Sequence, residues 1–386
     1  MKIAFVHDGL YPYLRGGIER RNYELATRLS ARHDVHYVTW NHWGVARSAR
    51  HGDFTVHGVG DPRPFYGDDG KRTVGEAAAF ALRLLPALRQ HRFDVIDCSA
   101  TPYLPLYTTW FATRATRTPL IATWHEFWGD HWQDYLADRR AVAQAGRLAE
   151  AGCRPLGDIR VAVSPFTAER LAAGLHGVDA RVVGNGVDIA AIKRIRPSAE
   201  KSDVVFVGRL IEDKKVDVLL HAVHRLLGEF PELRCTIVGA GPEREPLERL
   251  AASLSLGSNV RFAGPMKDEK TFALLKSAKV LAMPSIREGF GITVIEALAS
   301  GCVPLVARGP HTAAPGLVRD GVDGLLCDPT PGSMSAGLAA LLCDPVRLAS
   351  MKREGRRSAT QWDWDRLALQ MEDLYLEART RARIAV

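Results

Sequence analysis

Two glutamates eight positions apart, Glu288 and Glu296, bracket a glycine-rich turn in the segment SIREGFGITVIEALASG, Ser285 to Gly301. Gly289 and Gly291, on either side of Phe290, carry no side chain to obstruct a close approach. The backbone N–H groups of Gly291, Ile292 and Thr293 can therefore point at an anion where the next helix starts. Gly301 marks the expected end of that helix. Were the whole span helical, the two carboxylates would lie ~12 Å apart, whereas a retaining glycosidase flanks one bond with carboxyls ~5 to 5.5 Å apart. The spacing suits a grip on two ends of one ligand: Glu288 on hexose hydroxyls, a diphosphate at the helix start, Glu296 on ribose hydroxyls. The competing account is a capped surface helix with solvated glutamates.

A second segment, VVFVGRLIEDKKVDVLL from Val204 to Leu220, reads as a strand ending in Gly208 and Arg209, with two lysines before an amphipathic helix. The guanidinium fork of Arg209 and the compact charge of Lys214 are enough to neutralise a departing nucleotide diphosphate without a metal. A solvated basic loop explains the same residues. A third, LYPYLRGGIERRNYELATRLS, places Gly16 and Gly17 before a helix expected from Ile18, where they either let backbone close over donor phosphates or acceptor or form a plain turn. A fourth, ATWHEFWGDHWQDYL from Ala122 to Leu136, gathers His125, Trp128, Asp130 and Trp132. Aromatic faces beside carboxylates and imidazoles hold sugars, and the same residues can pack a domain interface. His125, Asp130 and His131 also admit a metal site, but the cations Arg209 and Lys214 already supply what a metal would.

The elements that must position these residues are an alternation of strands and helices. KIAFVH, GIERRNYELATRLSARH and DVHYVTW read as a β-α-β unit, and the pattern restarts at DVVFVGRL after a polar segment. With 386 residues, two domains of similar size are expected. They are taken as residues 1–185 for the acceptor, 186–362 for the nucleotide sugar, and a helix over 363–386 returning to the N-terminal domain. The fold class is α/β, two Rossmann-like domains facing across a cleft, with ligands beyond the carboxyl ends of parallel strands.

Composition narrows the function. The net charge of +7 is spread without a basic run, which argues against nucleic acid and suits an anionic ligand or acidic lipid headgroups. The six cysteines show no C-x-x-C pairing and read as reduced, mostly buried thiols. The opening MKIAFVHDGL lacks a secretory h-region, so a cytoplasmic protein is expected.

Taken together, the segments resemble the retaining glycosyltransferases of family 4, with the GT-B fold, over most of the chain. The resemblance implies that Glu288 and Glu296 form the family's Glu-x7-Glu motif, Arg209 and Lys214 its phosphate-binding pair, and Gly16-Gly17 its N-terminal glycine loop. It implies that His125 contacts the donor hexose, that Asn185 to Asp188 is the N-G-V-D junction, and that Pro265 and Met266 in NVRFAGPM lie beside the base. Lys215 stands where the family often has glycine, and Gly316 where many relatives have glutamate. The implied reaction is metal-independent, cofactor-free transfer with retention, by a front-face route. The donor is a UDP-sugar, glucose or N-acetylglucosamine first, with GDP-mannose behind it. The acceptor is a small hydroxylated, sugar-like molecule, aminocyclitols included, with a lipid-linked or envelope glycan as the alternative and peripheral membrane contact admitted. Arginine used over lysine, with much alanine, hints at a GC-rich bacterial source. The rivals from other classes are a nucleotide-sugar epimerase or hydrolase and a non-catalytic binding module.

Overall fold

The computed structural model describes residues 1–44, 46–67, 72–173 and 179–384. The chain divides into two compact units, one of Met1–Asn185 with Trp364–Val386 and one of Gly186–Asp363. The first and last segments of the chain thus share a unit.

The first unit is built on eight strands: β1 (Lys2–Val6), β2 (Asp34–Thr39), β3 (Ser48–His51), β4 (Phe54–Gly58), β5 (Val95–Ser99), β6 (Leu120–Trp124), β7 (Ile159–Ala162) and β8 (Arg181–Val182). Their order in the sheet is β3-β4-β2-β1-β5-β6-β7-β8. Neighbours are parallel except β3 against β4, an antiparallel edge pair that the sequence pattern did not foretell. The central strands are continuous apolar runs because both faces are covered. Ile3 and Phe5 of β1 point into one core layer, Ala4 and Val6 into the other.

Helices Gly17–Leu29 and Trp364–Ile384 cover the Ile3 face, where Trp364, Leu367, Met371 and Tyr375 are buried. Burying such side chains contributes roughly 1.5 to 3 kcal/mol each. Under them lies a buried polar cluster: Tyr375 donates to Asp97 Oδ2 at 2.7 Å and Thr123 to Asp97 Oδ1 at 2.6 Å. Arg21 donates to the Gly184 carbonyl beside them.

The second unit holds six parallel strands, β9 (Val204–Val207), β10 (Cys235–Val238), β11 (Val260–Gly264), β12 (Val280–Met283), β14 (Val303–Ala307) and β16 (Leu325–Cys327), in the order β11-β10-β9-β12-β14-β16. A small parallel pair, β13 (Arg287–Glu288) with β15 (His311–Thr312), stands apart from that sheet. In both sheets the first strand is central and the chain proceeds first to one side of it, then to the other. This creates a switch point where the loops after two adjacent strands diverge and leave a crevice.

Candidate active site

In the second unit the switch point lies beyond the carboxyl ends of β9 and β12, and both glycine-bearing segments arrive there. β9 runs into Gly208 to Lys215, and β12 into Ser285 to Gly291. Three contacts tie the loops together. The Ile286 N–H donates to the Asp213 carbonyl at 3.0 Å, Arg287 Nε donates to Asp213 Oδ2 at 2.8 Å, and Lys214 Nζ pairs with Glu288 Oε1. The Lys214 and Glu288 side chains are only 15% and 14% exposed, so this pair is shielded from solvent on most sides. Arg209 is exposed and has no ion-pair partner among the described residues. It is a cation at the crevice that the protein itself does not neutralise.

Backbone geometry explains the glycines. Gly291 adopts φ +103°, the left-handed region, and caps helix Ile292–Ser300 with no side-chain acceptor for that helix's first N–H groups. Gly301 closes the helix at φ +74°. Phe290 is buried edge-on against Trp362, with ring centroids 5.4 Å apart, so its ring is taken up by packing. Glu296 lies half-buried in the helix's second turn.

Pro265 and Met266 follow Gly264 at the end of β11, on the same sheet edge. The structure therefore collects Gly208, Arg209, Lys214, Pro265, Met266, Glu288 to Thr293 and Glu296 along one edge of one sheet. Lys215 is turned to exposed Glu212 at 3.4 Å, which leaves Lys214 as the lysine that reaches the crevice. The sequence reading missed Gly239, where a Cβ would sit 1.8 Å from the Gly208 carbonyl oxygen, and Gly241, 2.1 Å from that of Leu210. The VGAGPE run at the end of β10 was the signal for them.

In the first unit, Gly16 caps helix Gly17–Leu29 with extended backbone and no side-chain cap. Glu19 fills the space beside it: a Cβ on Gly9 or Gly16 would lie 2.6 or 2.2 Å from a Glu19 carboxylate oxygen. Burial works to raise the Glu19 pKa, but the hydrogen bond and charge of His7 outweigh it and the net shift is downward. Any external anion at this glycine loop meets a carboxylate already in place. His125 follows β6, with Nε2 at 3.3 Å from Ser99 Oγ, which in turn receives Asn22 Nδ2 at 3.2 Å. Burial, with the charges of Arg21 and His7, drives the His125 pKa well down, so its imidazole is neutral.

The aromatic loop is held by two residues that the sequence reading did not single out. Buried Glu150 accepts the N–H groups of Trp128 and Gly129 at 2.7 Å each and the Tyr103 hydroxyl at 2.6 Å. Arg170 donates to the carbonyls of Phe127 and Trp128 at 3.1 and 3.0 Å. Trp128 lies tilted against Trp132 and edge-on to Tyr135, with centroids at 4.8 and 4.7 Å. Trp132 also lies on Gly146, where a Cβ would meet its ring at 2.8 Å, so packing accounts for much of its surface. Asp130 is exposed and pairs with Arg147 at 3.5 Å.

Residues 15–191 match the family described as Glycosyltransferase Family 4, and residues 188–358 match Glycosyl transferases group 1. The chain is 31% identical over 342 residues to the D-inositol 3-phosphate glycosyltransferase of Corynebacterium efficiens, an alignment that covers 82% of this chain and 79% of that protein. The chain belongs to the family 4 glycosyltransferases. A second such relative, from Streptomyces bingchenggensis, is 28% identical over 82% of this chain and 74% of its own. Among solved structures, the sucrose-phosphate synthase of Thermosynechococcus elongatus superposes with a TM-score of 0.80 at 20% identity, covering 97% of this chain and 98% of that one. Anabaena Alr3699/HepE, solved in complex with UDP and glucose, gives 0.74 at 19% identity, with coverage of 98% and 100%. These similarities establish the GT-B fold for this glycosyltransferase. Among its described residues, no helix is long and apolar enough to cross a membrane.

Proposed function

We propose that this glycosyltransferase moves a hexose, glucose or N-acetylglucosamine, from a UDP-sugar to a hydroxyl of a small sugar-like acceptor, with retention and without a metal. The observation that carries the donor half is the crevice at the ends of β9 and β12: an uncapped helix start at Gly291 beside the unpaired cation Arg209 and the half-buried Lys214. Donor diphosphate sits at Gly291 to Thr293, Arg209 and Lys214 balance its charge, and Glu288 and Glu296 accept from hexose and ribose hydroxyls. The acceptor oxygen attacks the anomeric carbon on the face from which the diphosphate leaves. The C1–O bond to phosphate breaks, and the hydroxyl proton passes to the departing phosphate oxygen. Arg209 and Lys214 stabilise the charge that develops there, which is the work a metal ion would otherwise perform.

Neutral His125 is a donor or acceptor toward a sugar hydroxyl, and the clamped loop of Trp128, Asp130 and Trp132 offers a face for the acceptor. The cyclitol phosphate in the names of the curated relatives supports an acceptor of monosaccharide size. The test is a panel of UDP-glucose, UDP-N-acetylglucosamine and GDP-mannose, each with and without inositol phosphates, free cyclitols and aminocyclitols. Nucleotide diphosphate release and the mass and anomeric configuration of the product are scored. Release that needs no acceptor points to a hydrolase, and an inverted product refutes the front-face route.

A further inference from the structure

Away from the crevice, a cavity of about 450 Å³ opens in the second unit where helices Ile189–Arg194, Asp268–Ser277 and Pro345–Ser358 meet the far end of helix Ile292–Ser300. Among the described residues four cations line it, Lys193, Lys276, Arg356 and Arg357, and no carboxylate does. Lys276 Nζ donates to the carbonyls of Lys193 at 3.3 Å and Ile195 at 2.6 Å, which are neutral acceptors. Arg357 reaches Glu354 at 3.2 Å, outside the lining. Lys193 and Arg356 have no carboxylate partner among the described residues. The Arg356 guanidinium lies against Gly301, the left-handed cap of that helix, and Ser300 beside it carries a buried hydroxyl without a partner.

Four helix carboxyl ends meet here, each supplying up to about half a negative charge, and Glu354 holds Arg357, so together they offset most but not all of the charge of the four cations. The positive charge that remains, on Lys193 and Arg356 above all, is self-repelling, and an anion entering the cavity relieves that repulsion. Burial together with the charge of Arg356 already pushes the Lys276 pKa down, as expected for a partly buried lysine beside another cation.

We propose that this cavity is a second anion site, separate from the donor crevice, and that it takes a phosphate group carried by a soluble metabolite or a lipid headgroup. Arginine and lysine donors spread over three helices suit the three terminal oxygens of a phosphate ester better than a monovalent halide. The volume leaves room for an organic moiety behind the phosphate.

The probe is inorganic phosphate, titrated against the full chain at constant ionic strength with chloride as the reference and with saturating UDP present to fill the donor crevice. Thermal shift and calorimetry are the readouts. The wild type is expected to bind phosphate in a range on the order of millimolar. The Lys193→Gln/Arg356→Gln double variant should weaken it by about tenfold or more while keeping the UDP-induced stabilisation. Arg357→Gln alone, on an exposed face, gives a second reading if the double variant folds poorly. A phosphate response equal to chloride, or one that neither variant reduces, overturns the site. Co-sedimentation with phosphatidylglycerol vesicles, set against pure phosphatidylcholine, assigns the source: capture lost in the variants supports the site with a lipid phosphate, and phosphate binding without capture supports it with a soluble one. Loss of the UDP response in the wild type would sink the donor assignment and leave this test intact.

Discussion

Replacing Glu288 by glutamine should strengthen UDP binding while nearly abolishing transfer. Without ligand, Lys214 is committed to Glu288 in a pair shielded on most sides. A diphosphate that recruits Lys214 must first draw it from that carboxylate, and a pair of this burial is worth on the order of 1 kcal/mol. Removing the carboxylate charge frees the lysine, so the UDP dissociation constant should fall by about fivefold, the equivalent of 1 kcal/mol. The hexose loses an acceptor for its hydroxyls in the transition state at the same time, and kcat should drop by about 100-fold or more. Isothermal titration of UDP, which has no hexose, isolates the first effect, and steady-state transfer measures the second. Weaker UDP binding by Glu288→Gln, or a kcat within threefold of wild type, would refute the reasoning from the pair.

Four further outcomes rest on named contacts. Arg209→Ala should lower kcat by about 100-fold with no change in melting temperature, because Arg209 is exposed and has no ion-pair partner among the described residues; a near-native rate removes it from the mechanism. Lys215→Gly should raise stability by about 0.5 to 1 kcal/mol, since Lys215 sits at φ +47° where a side chain costs roughly 1 to 2 kcal/mol and glycine's greater chain entropy returns part of that; denaturant midpoints measure it. Glu150→Gln leaves one of three donors facing an amide N–H instead of an oxygen, a loss of about 1 to 3 kcal/mol, so the acceptor KM should rise while the donor KM stays put. His57 is held neutral by burial beside His91 and His36, with its pKa pushed down to about 4. The unfolded chain takes up that proton near the ordinary histidine value and the folded one does not. Stability is therefore full above about pH 6.5 and falls by roughly 2 to 3 kcal/mol on acidification toward pH 4, and His57→Gln should flatten that slope in acid titrations followed by circular dichroism.

The segments with strict local requirements were legible from sequence. A glycine just before an apolar helical run, with another at its end, has little choice but the left-handed cap and helix seen at Gly291 and Gly301. The apolar runs that became β1, β5, β6, β9 and β12 needed no partner to be recognised. What escaped was long-range. Lys214 and Glu288 are 74 positions apart, and nothing in either segment specifies that they meet. Arg287 and Asp213 join across the same interval.

Glu150 was overlooked because it lies one helix beyond the loop it holds, where a glutamate reads as solvated surface. Strand β3 has the sequence SARH, without apolar alternation, and owes its place to backbone pairing with β4 and to Ser48 meeting His57 at 2.9 Å. The family's usual glycine after Lys214 is also explained: the backbone there is left-handed, and Lys215 occupies it without glycine's ease.

The placement of Trp364, Met371 and Tyr375 against Ile3 and Phe5 bears on biogenesis. A nascent chain must emit its entire middle portion before the first-made sheet receives the helix that seals it, so a ribosome-bound intermediate would carry an open apolar flank for most of synthesis. A stop codon near residue 363 would spare the inserted unit yet strip Phe5 of its edge-on contact with Tyr375.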